Sequence, residues 1–378
     1  MMNILINFST LKAGGGQNVA LNFLYAIQSR PMDDLDYWYL VAKDSEPHRY
    51  LAHAKSKKFI VAPRNALLRI LFEFFLGWHV LRRHRIDIVY SYFGYAWFPK
   101  RWPQVSGSAD SNLYFPEIDF WSGYRGFDRL KLRLKDGYRL CGVRRANAVV
   151  FENEAMEKRG RTFFGIRLTK TIKPSICFSD TAQKFTLPSH GAGETAKKGL
   201  FLCGWHLNKN IMLIPPLAAE MRERKRAFVF ILTAPLDNST LHRQFCELVR
   251  KHGVEDRVLV VGPVKKDELS SLYDQIDFVF LLSKLESFSN NIIEAWHFRK
   301  PLIVADELWA KSICQDAAVY VARDSKVDIA DRLYALLDSD PDYQGVINRG
   351  SDMLKNYPTI QERVNQELDY IRYVHQNS

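Results

Sequence analysis

Two carboxylates stand eight residues apart in Ser283-Lys284-Leu285-Glu286-Ser287-Phe288-Ser289-Asn290-Asn291-Ile292-Ile293-Glu294-Ala295-Trp296. The apolar run 277–282 ahead of them reads as a strand, and a helix is expected over 288–299. Glu286 then falls in the loop at the strand's carboxyl end, Ser287 or Ser289 caps the helix, and Glu294 lies inside it. Unpaired N–H groups at such a helix start favour a phosphate. A carboxylate one or two turns on can accept both hydroxyls of a ribose. The same spacing also suits a capping acid at Glu286 and a solvated helix residue at Glu294. A second constellation is Gly14-Gly15-Gly16, between an expected strand at 3–8 and a helix beginning at Gln17. Three glycines let a backbone approach a ligand closely, although a plain turn has the same composition. The triplet is not a dinucleotide fingerprint, because Val19 stands where a third glycine is needed.

These residues need elements to hold them, and short β-type runs alternate with helical patterns along the whole chain. In the first half strands are expected near 3–8, 37–42, 58–62, 86–92, 103–107 and 146–151, with helices near 17–29, 65–84, 127–144 and 153–160. In the second, strands near 199–204, 227–232, 257–262, 277–282, 301–305 and 318–321 are separated by helices near 210–223, 238–252, 266–274, 288–299 and 326–338. This β-α-β order predicts an α/β protein of two doubly wound, Rossmann-like domains, each with a parallel sheet. The small, polar segment 189–199 reads as a linker between an N-terminal domain over 1–188 and a C-terminal domain over 200–355. A C-terminal helix over 356–378 is expected to pack back on the N-terminal domain. Two such domains facing across a cleft would bind ligands at the carboxyl ends of their strands.

The stretch 258–305 resembles the donor-nucleotide half of GT-B glycosyltransferases, specifically the large retaining family 4. It carries a strand ending in Gly262, a helix with Glu268-Leu269 and Leu272-Tyr273, and an apolar strand. The Glu286/Glu294 pair, Glu294-Ala295 and Lys300-Pro301-Leu302-Ile303-Val304 follow in the family's order. The resemblance implies that Glu294 holds the nucleotide ribose and that Glu286 contacts the donor sugar or supports the site. Backbone amides around Ser287, Phe288, Ser289 and Asn290 would face the diphosphate or sugar, as would the loop Gly14–Gly16. In Phe201-Leu202-Cys203-Gly204-Trp205-His206-Leu207-Asn208-Lys209-Asn210, Lys209 stands where family members place a cation on the donor diphosphate. Many members add an Arg shortly after the glycine; here Trp205-His206 takes that place, with His206 as a substitute donor-binding group. Members often carry a His after the strand near 103–107. This chain has Asp110 there, either as a catalytic substitute or in a turn or capping role.

No metal site and no cofactor are expected. Asp34-Leu35-Asp36 and Asp338-Ser339-Asp340 have the D-x-D form of metal-dependent transferases, but GT-B enzymes manage phosphates with cations and helix ends. The histidines show no ligand spacing. Cys141, Cys177, Cys203, Cys246 and Cys314 are odd in number and widely spaced, which argues against a disulfide framework or a zinc site; most are expected to be buried small hydrophobes.

The chain's net charge of +11 is uneven over its 378 residues. Residues 1–180 carry 28 Lys+Arg and 16 Asp+Glu, a net of +12, against 25 and 26 in 181–378, a net of −1. The basicity therefore points to an anionic partner of the first half rather than to the donor's phosphates. Residues 70–127 hold 17 of the 49 Phe, Trp and Tyr. If 65–84 is helical, Arg69 and Glu73 form a narrow polar stripe on an apolar cylinder. Rings flanked by Arg and Lys suit the face of an anionic membrane; a buried helix beside a solvated loop is the alternative. No run is long enough to span a bilayer, and the start resembles a strand rather than a signal peptide, so a cytoplasmic, membrane-peripheral protein is expected. Nucleic acid is not an expected partner.

The resemblance thus implies a retaining glycosyltransferase that moves a sugar from a UDP- or GDP-linked donor to a lipid-linked surface polysaccharide or lipopolysaccharide intermediate. Glu286, Lys209 and Asp110 are the expected catalytic residues. A non-catalytic nucleotide-binding partner subunit and a sugar-nucleotide epimerase are the alternatives.

Overall fold

The computed structural model describes residues 1–12, 15–175, 178 and 181–378; Gly14 and Cys177 lie outside the described residues. The chain divides into two units, Met1–Ser175 with Pro358–Ser378, and Ile176–Tyr357.

The first unit runs β1 (Met2–Asn7), α1 (Gly15–Ser29), β2 (Leu35–Ala42), α2 (Glu46–His53), β3 (Phe59–Ala62), α3 (Ala66–Leu71), α4 (Gly77–Arg83), β4 (Ile88–Ser91), β5 (Gln104–Ser108), α5 (Gly126–Arg145), β6 (Ala148–Phe151), α6 (Glu154–Phe164) and β7 (Leu168–Thr171). Its seven strands lie in the order β3-β2-β1-β4-β5-β6-β7, all parallel. The second unit runs β8 (Lys197–Phe201), α7 (Ile214–Glu223), β9 (Phe228–Leu232), α8 (Thr240–His252), β10 (Val258–Val260), α9 (Leu269–Asp274), β11 (Phe278–Leu281), α10 (Asn290–His297), β12 (Leu302–Ala305), α11 (Leu308–Cys314), β13 (Val319–Val321), α12 (Lys326–Leu337) and α13 (Asp340–Leu354). Its sheet has the order β10-β9-β8-β11-β12-β13, again parallel. The last helix, α14 (Ile360–Gln376), belongs to the first unit.

Strands such as AVVF and FVFIL are buried at every position, the continuous apolar pattern of a parallel sheet covered on both faces. The polar pattern after 340 reads as helical and forms α13; three other elements were absent from the sequence expectation, each with a weak signal. The β7 strand is polar (LTKT) and lies at an edge. The α2 helix is polar and contains Pro47, which its first turn tolerates while Ser45 caps it. The α11 helix spans only seven residues.

The boundary between units lies at 175/176 rather than at the segment 189–199. Residues 183–187 are already pinned to the α9 region: Gln183 N donates to Asp267 O at 2.7 Å, Phe185 N to Ser271 Oγ at 3.0 Å and Leu187 N to Gln275 Oε1 at 3.2 Å. The glycine-rich stretch is therefore the approach to β8, which begins at Lys197. At the other end α14 is fixed within the first unit by burying Arg363 and Glu367. Tyr92 Oη donates to Glu367 Oε1 at 3.0 Å and Arg363 Nε to the same oxygen at 3.0 Å.

The helix expected over 65–84 is interrupted by a π turn at Phe72–Leu76, and its burial is inverted. Arg69 and Glu73 face inward at 5% and 0% exposure, whereas Leu67, Phe74 and Phe75 are 65%, 58% and 68% exposed. The following loop is buried, with Tyr92, Tyr95, Phe98 and Trp102 in the interior. A buried helix beside a solvated loop is therefore excluded: Glu73 accepts from Trp97 N at 2.9 Å, so the polar stripe serves that loop and turns the apolar face outward.

Candidate active site

In the second unit the strand order reverses between β8 and β11, where an open parallel sheet forms a crevice at its carboxyl edge. The loop leaving β8 makes a short 3-10 turn, Leu207–Lys209, capped by His206, whose Nδ1 accepts from Asn208 N at 3.0 Å. Asn208 then clamps the loop leaving β11. Its Nδ2 donates to Leu285 O at 2.8 Å, its Oδ1 accepts from Leu285 N at 3.1 Å, and its carbonyl accepts from Lys284 N at 2.9 Å. Held this way, Lys209 Nζ donates to Glu286 Oε1 at 2.6 Å, with both side chains mostly buried. Burial and the Lys209 charge lower the proton affinity of His206, so its ring caps this turn as a neutral imidazole. Burial pushes the nearby Cys203 thiol up to about 11, which makes it unreactive.

The α10 helix begins just beyond this loop. Ser289 occupies its N-cap position without a side-chain capping bond, so the serine leaves the first-turn N–H groups to other acceptors. Ser287 lies in the loop, Asn290 is the exposed first helical residue, and the Phe288 ring packs 5.7 Å from that of Tyr357. Asn291 Nδ2 donates to Leu202 O at 2.9 Å, tying the helix start to the end of β8. Glu294 sits one turn inside, where Tyr273 Oη donates to its Oε2 at 3.3 Å. Burial pushes its carboxyl up to about 7, against the opposing influence of Tyr273 and Lys266. Glu294 is therefore not a solvated helix residue. Arg323 Nε donates to Leu282 O at 3.3 Å and brings a further cation to the same edge of the sheet.

In the first unit the order reverses between β1 and β4. There a cavity of about 510 Å³ opens, walled by Thr10 after β1, Gly94 and Tyr95 after β4, Asp110 after β5, and residues of α3 and α5. Asp110 occupies the cap position of a 3-10 turn, but its side chain does not cap it. Its carboxylate lies 3.2 Å from Arg139 Nη1, and burial raises its pKa. Gly15 and Gly16 form the first turn of α1 rather than a loop ahead of it. A Cβ on Gly16 would come 3.1 Å from Leu11 Cδ2, so close packing explains a glycine there.

Among the described residues no three His, Cys, Asp or Glu side chains cluster as metal ligands. Asp34 and Asp36 pair instead with Arg372 and Lys58, and Asp338 with Arg226. Among the described cysteines Cys314 is buried, Cys203 and Cys246 are half-buried and Cys141 is exposed, so the expectation that most are buried small hydrophobes is not met. No described helix is long and apolar enough to cross a membrane.

Sequence reasoning missed Asn208, Asn291 and Tyr273, whose partners are remote in the chain. It also missed Lys12, Lys135 and Arg139 as a group. Asn208 stood beside the expected cation Lys209, which was the one available signal.

Residues 190–353 match the family model for glycosyl transferases group 1. No curated protein matches the chain. Among solved structures it resembles a sucrose-phosphate synthase from Thermosynechococcus elongatus, at 14% identity and a TM-score of 0.72 over 100% of both chains. It also resembles a glycosyltransferase from Rickettsia africae, at 13% identity and a TM-score of 0.69 over 100% of this chain and 99% of that one. A third is Anabaena HepE, solved with UDP and glucose, at 16% identity and a TM-score of 0.66 over 99% of this chain and 100% of that one. At such identities these likenesses establish the fold, which is that of GT-B glycosyltransferases: two parallel-sheet α/β domains. The family match over the second unit adds support for a glycosyltransferase.

Proposed function

We propose that the protein is a retaining glycosyltransferase that moves a sugar from a nucleoside-diphosphate donor to a lipid-linked surface-glycan acceptor at a membrane face. The observation that carries this is the convergence of Lys209, Glu286 and the α10 N-terminus at the strand-order reversal of the second unit, with Glu294 one turn inside. Lys209 and the α10 amides stabilise the departing diphosphate, the main electrostatic task of the reaction. Glu286 fixes the Lys209 ammonium and turns its second oxygen to the donor sugar. Glu294, ionised, accepts the two ribose hydroxyls. The acceptor hydroxyl attacks the anomeric carbon on the face the diphosphate leaves, and the leaving phosphate oxygen takes its proton. No residue is then needed as nucleophile, and Asp110 acts through the acceptor. UDP is favoured as the carrier by the UDP and glucose bound in the Anabaena relative of the same fold.

Membrane attachment is supported by two apolar stripes on the first unit. Leu67, Leu71, Phe74, Phe75 and Trp78 are exposed along α3, the π turn Phe72–Leu76 and α4, and Phe127, Leu130 and Leu134 lie along one face of α5. Arg64, Arg82, Arg83, Lys131 and Arg133 are exposed on the same helices or beside them. Apolar rings at headgroup depth with flanking cations suit an anionic leaflet. A panel of UDP-, GDP-, ADP- and CDP-sugars, with membrane extract as acceptor, tests the reaction. Transfer with retained anomeric configuration is expected. Binding of nucleotides without turnover of any donor would favour the non-catalytic subunit, and conversion without acceptor would favour an epimerase.

A further inference from the structure

The cavity of the first unit is more basic than sugar hydroxyls require. Its wall holds four cations, Lys12, Arg69, Lys135 and Arg139, against one carboxylate, Asp110. Arg139 is neutralised locally, lying 3.2 Å from Asp110 and 3.4 Å from Asp136. The other three are less well matched. Arg69 is 5% exposed, yet its Nε and Nη1 make no hydrogen bond. Glu73 stands 3.6 Å from that Nη1 but directs its other oxygen to Trp97 N. Arg69 Nη2 donates to Tyr138 Oη at 3.5 Å, so the guanidinium is held in the cavity wall with its charge only partly offset. Lys12 spends one donor on Arg64 O at 2.6 Å. Burial and neighbouring cations hold the Lys12 and Lys135 ammonium groups below the usual range, Arg69 and Lys135 acting on Lys12 and Arg139 on Lys135. Like charges gathered around an open space of this size, which is ordinary for a small-ligand site, are relieved by an oxyanion.

We infer that this cavity is an anion subsite, which takes a phosphate or carboxylate of the acceptor on Lys12, Arg69 and Lys135. The assignment to an acceptor rests on the transferase reading above; the anion chemistry does not. A soluble sugar phosphate and a lipid phosphate present the same oxygens. The two lysines reach that group on flexible stems, while Arg69 adds its charge from the cavity wall. Asp110 and Asp136 anchor Arg139 at the cavity rim.

Calorimetric titration of the full chain with glucose 6-phosphate and with inorganic phosphate tests the subsite, beside co-sedimentation with vesicles of phosphatidic acid or of phosphatidylcholine. The Lys12→Ala/Lys135→Ala double variant changes one half-buried and one exposed side chain and should fold. It should bind glucose 6-phosphate about tenfold or more weakly, the loss expected when charge-assisted hydrogen bonds are removed. Loss confined to the soluble ester assigns the group to a soluble acceptor; loss extending to phosphatidic acid vesicles assigns it to a lipid phosphate. Equal binding by wild type and variant, or no binding by wild type, overturns the subsite. UDP-sugar binding, measured on the same samples, separates the two readings. Phosphate binding that depends on the lysines without uptake of any nucleotide sugar would refute the transferase and leave the subsite standing; the converse would do the opposite.

Discussion

Lys209 Nζ lies 2.6 Å from Glu286 Oε1 and joins the loop after β8 to the loop after β11, where the strand order of the second unit reverses. The pair places a fixed cation at the carboxyl edge of the sheet and an aligned carboxylate beside it. Lys209→Met should lower kcat/KM about 100-fold or more, the scale of removing one preorganised group from the developing charge. Glu286→Gln should lower it as well, and the double variant should lose less than the sum of the two, because the residues act as a unit. Steady-state kinetics on all three variants measures this, and strict additivity would refute it.

If Glu294 holds the donor ribose as proposed, donor binding should depend on pH. Its carboxyl is raised to about 7 by burial, and ribose hydroxyls need the ionised form. UDP-sugar affinity should therefore rise with pH up to about 7 and level off above it, with a proton released on binding below that point. The donor's diphosphate bridge does not titrate in this range, so isothermal titration in buffers of different ionisation enthalpy isolates the carboxyl. Glu294→Gln should abolish the pH dependence along with most of the affinity.

The same shift acts on stability with a definite sign. An acid whose folded-state pKa lies above its ordinary value stabilises the fold at low pH, and that contribution is lost as pH rises from about 4.5 through about 7. At pH 8 Glu294→Gln should be more stable than the wild type by ~1–3 kcal/mol, each pKa unit corresponding to about 1.4 kcal/mol. Denaturant unfolding at pH 5 and pH 8 checks this; an equal difference at both would count against it.

Asn208 is a positioning residue. Asn208→Ala removes both side-chain hydrogen bonds to Leu285 and strands buried backbone groups, at a cost of about 1–3 kcal/mol. Because the loop carrying Glu286 is then free to shift, kcat should fall more than KM changes. A variant that unfolds more easily yet keeps full kcat would reduce Asn208 to a purely structural role.

The exposed rings of the π turn between α3 and α4 should govern membrane attachment and little else. Phe74→Ser/Phe75→Ser should cut binding to anionic vesicles while leaving the melting temperature and donor affinity unchanged, since both rings are more than half exposed. Glu73→Ala should instead destabilise the first unit by about 3–5 kcal/mol, because it leaves Arg69 buried without its counter-charge and Trp97 N without its acceptor.

Sequence alone determined most elements and the local placement of the residues proposed to hold the donor. Alternating apolar runs specify strands because a parallel sheet buries both faces, and Glu286, the α10 start and Glu294 fall within one strand-loop-helix stretch whose geometry is local. Tertiary structure decided what depends on distant partners. Glu294 is half-buried and bonded rather than solvated because Tyr273 on α9 reaches it, and Lys209 meets Glu286 because Asn208 binds a loop 77 residues away. The polarity of the helix at 66–83 could not be read from its pattern. An apolar cylinder with a polar stripe ordinarily buries the larger face, and here Glu73 buries the smaller one by accepting from Trp97 N. That inversion, together with α5, gathers Lys12, Arg69, Lys135 and Arg139, which are scattered over more than a hundred residues, around one cavity at the head of the first sheet.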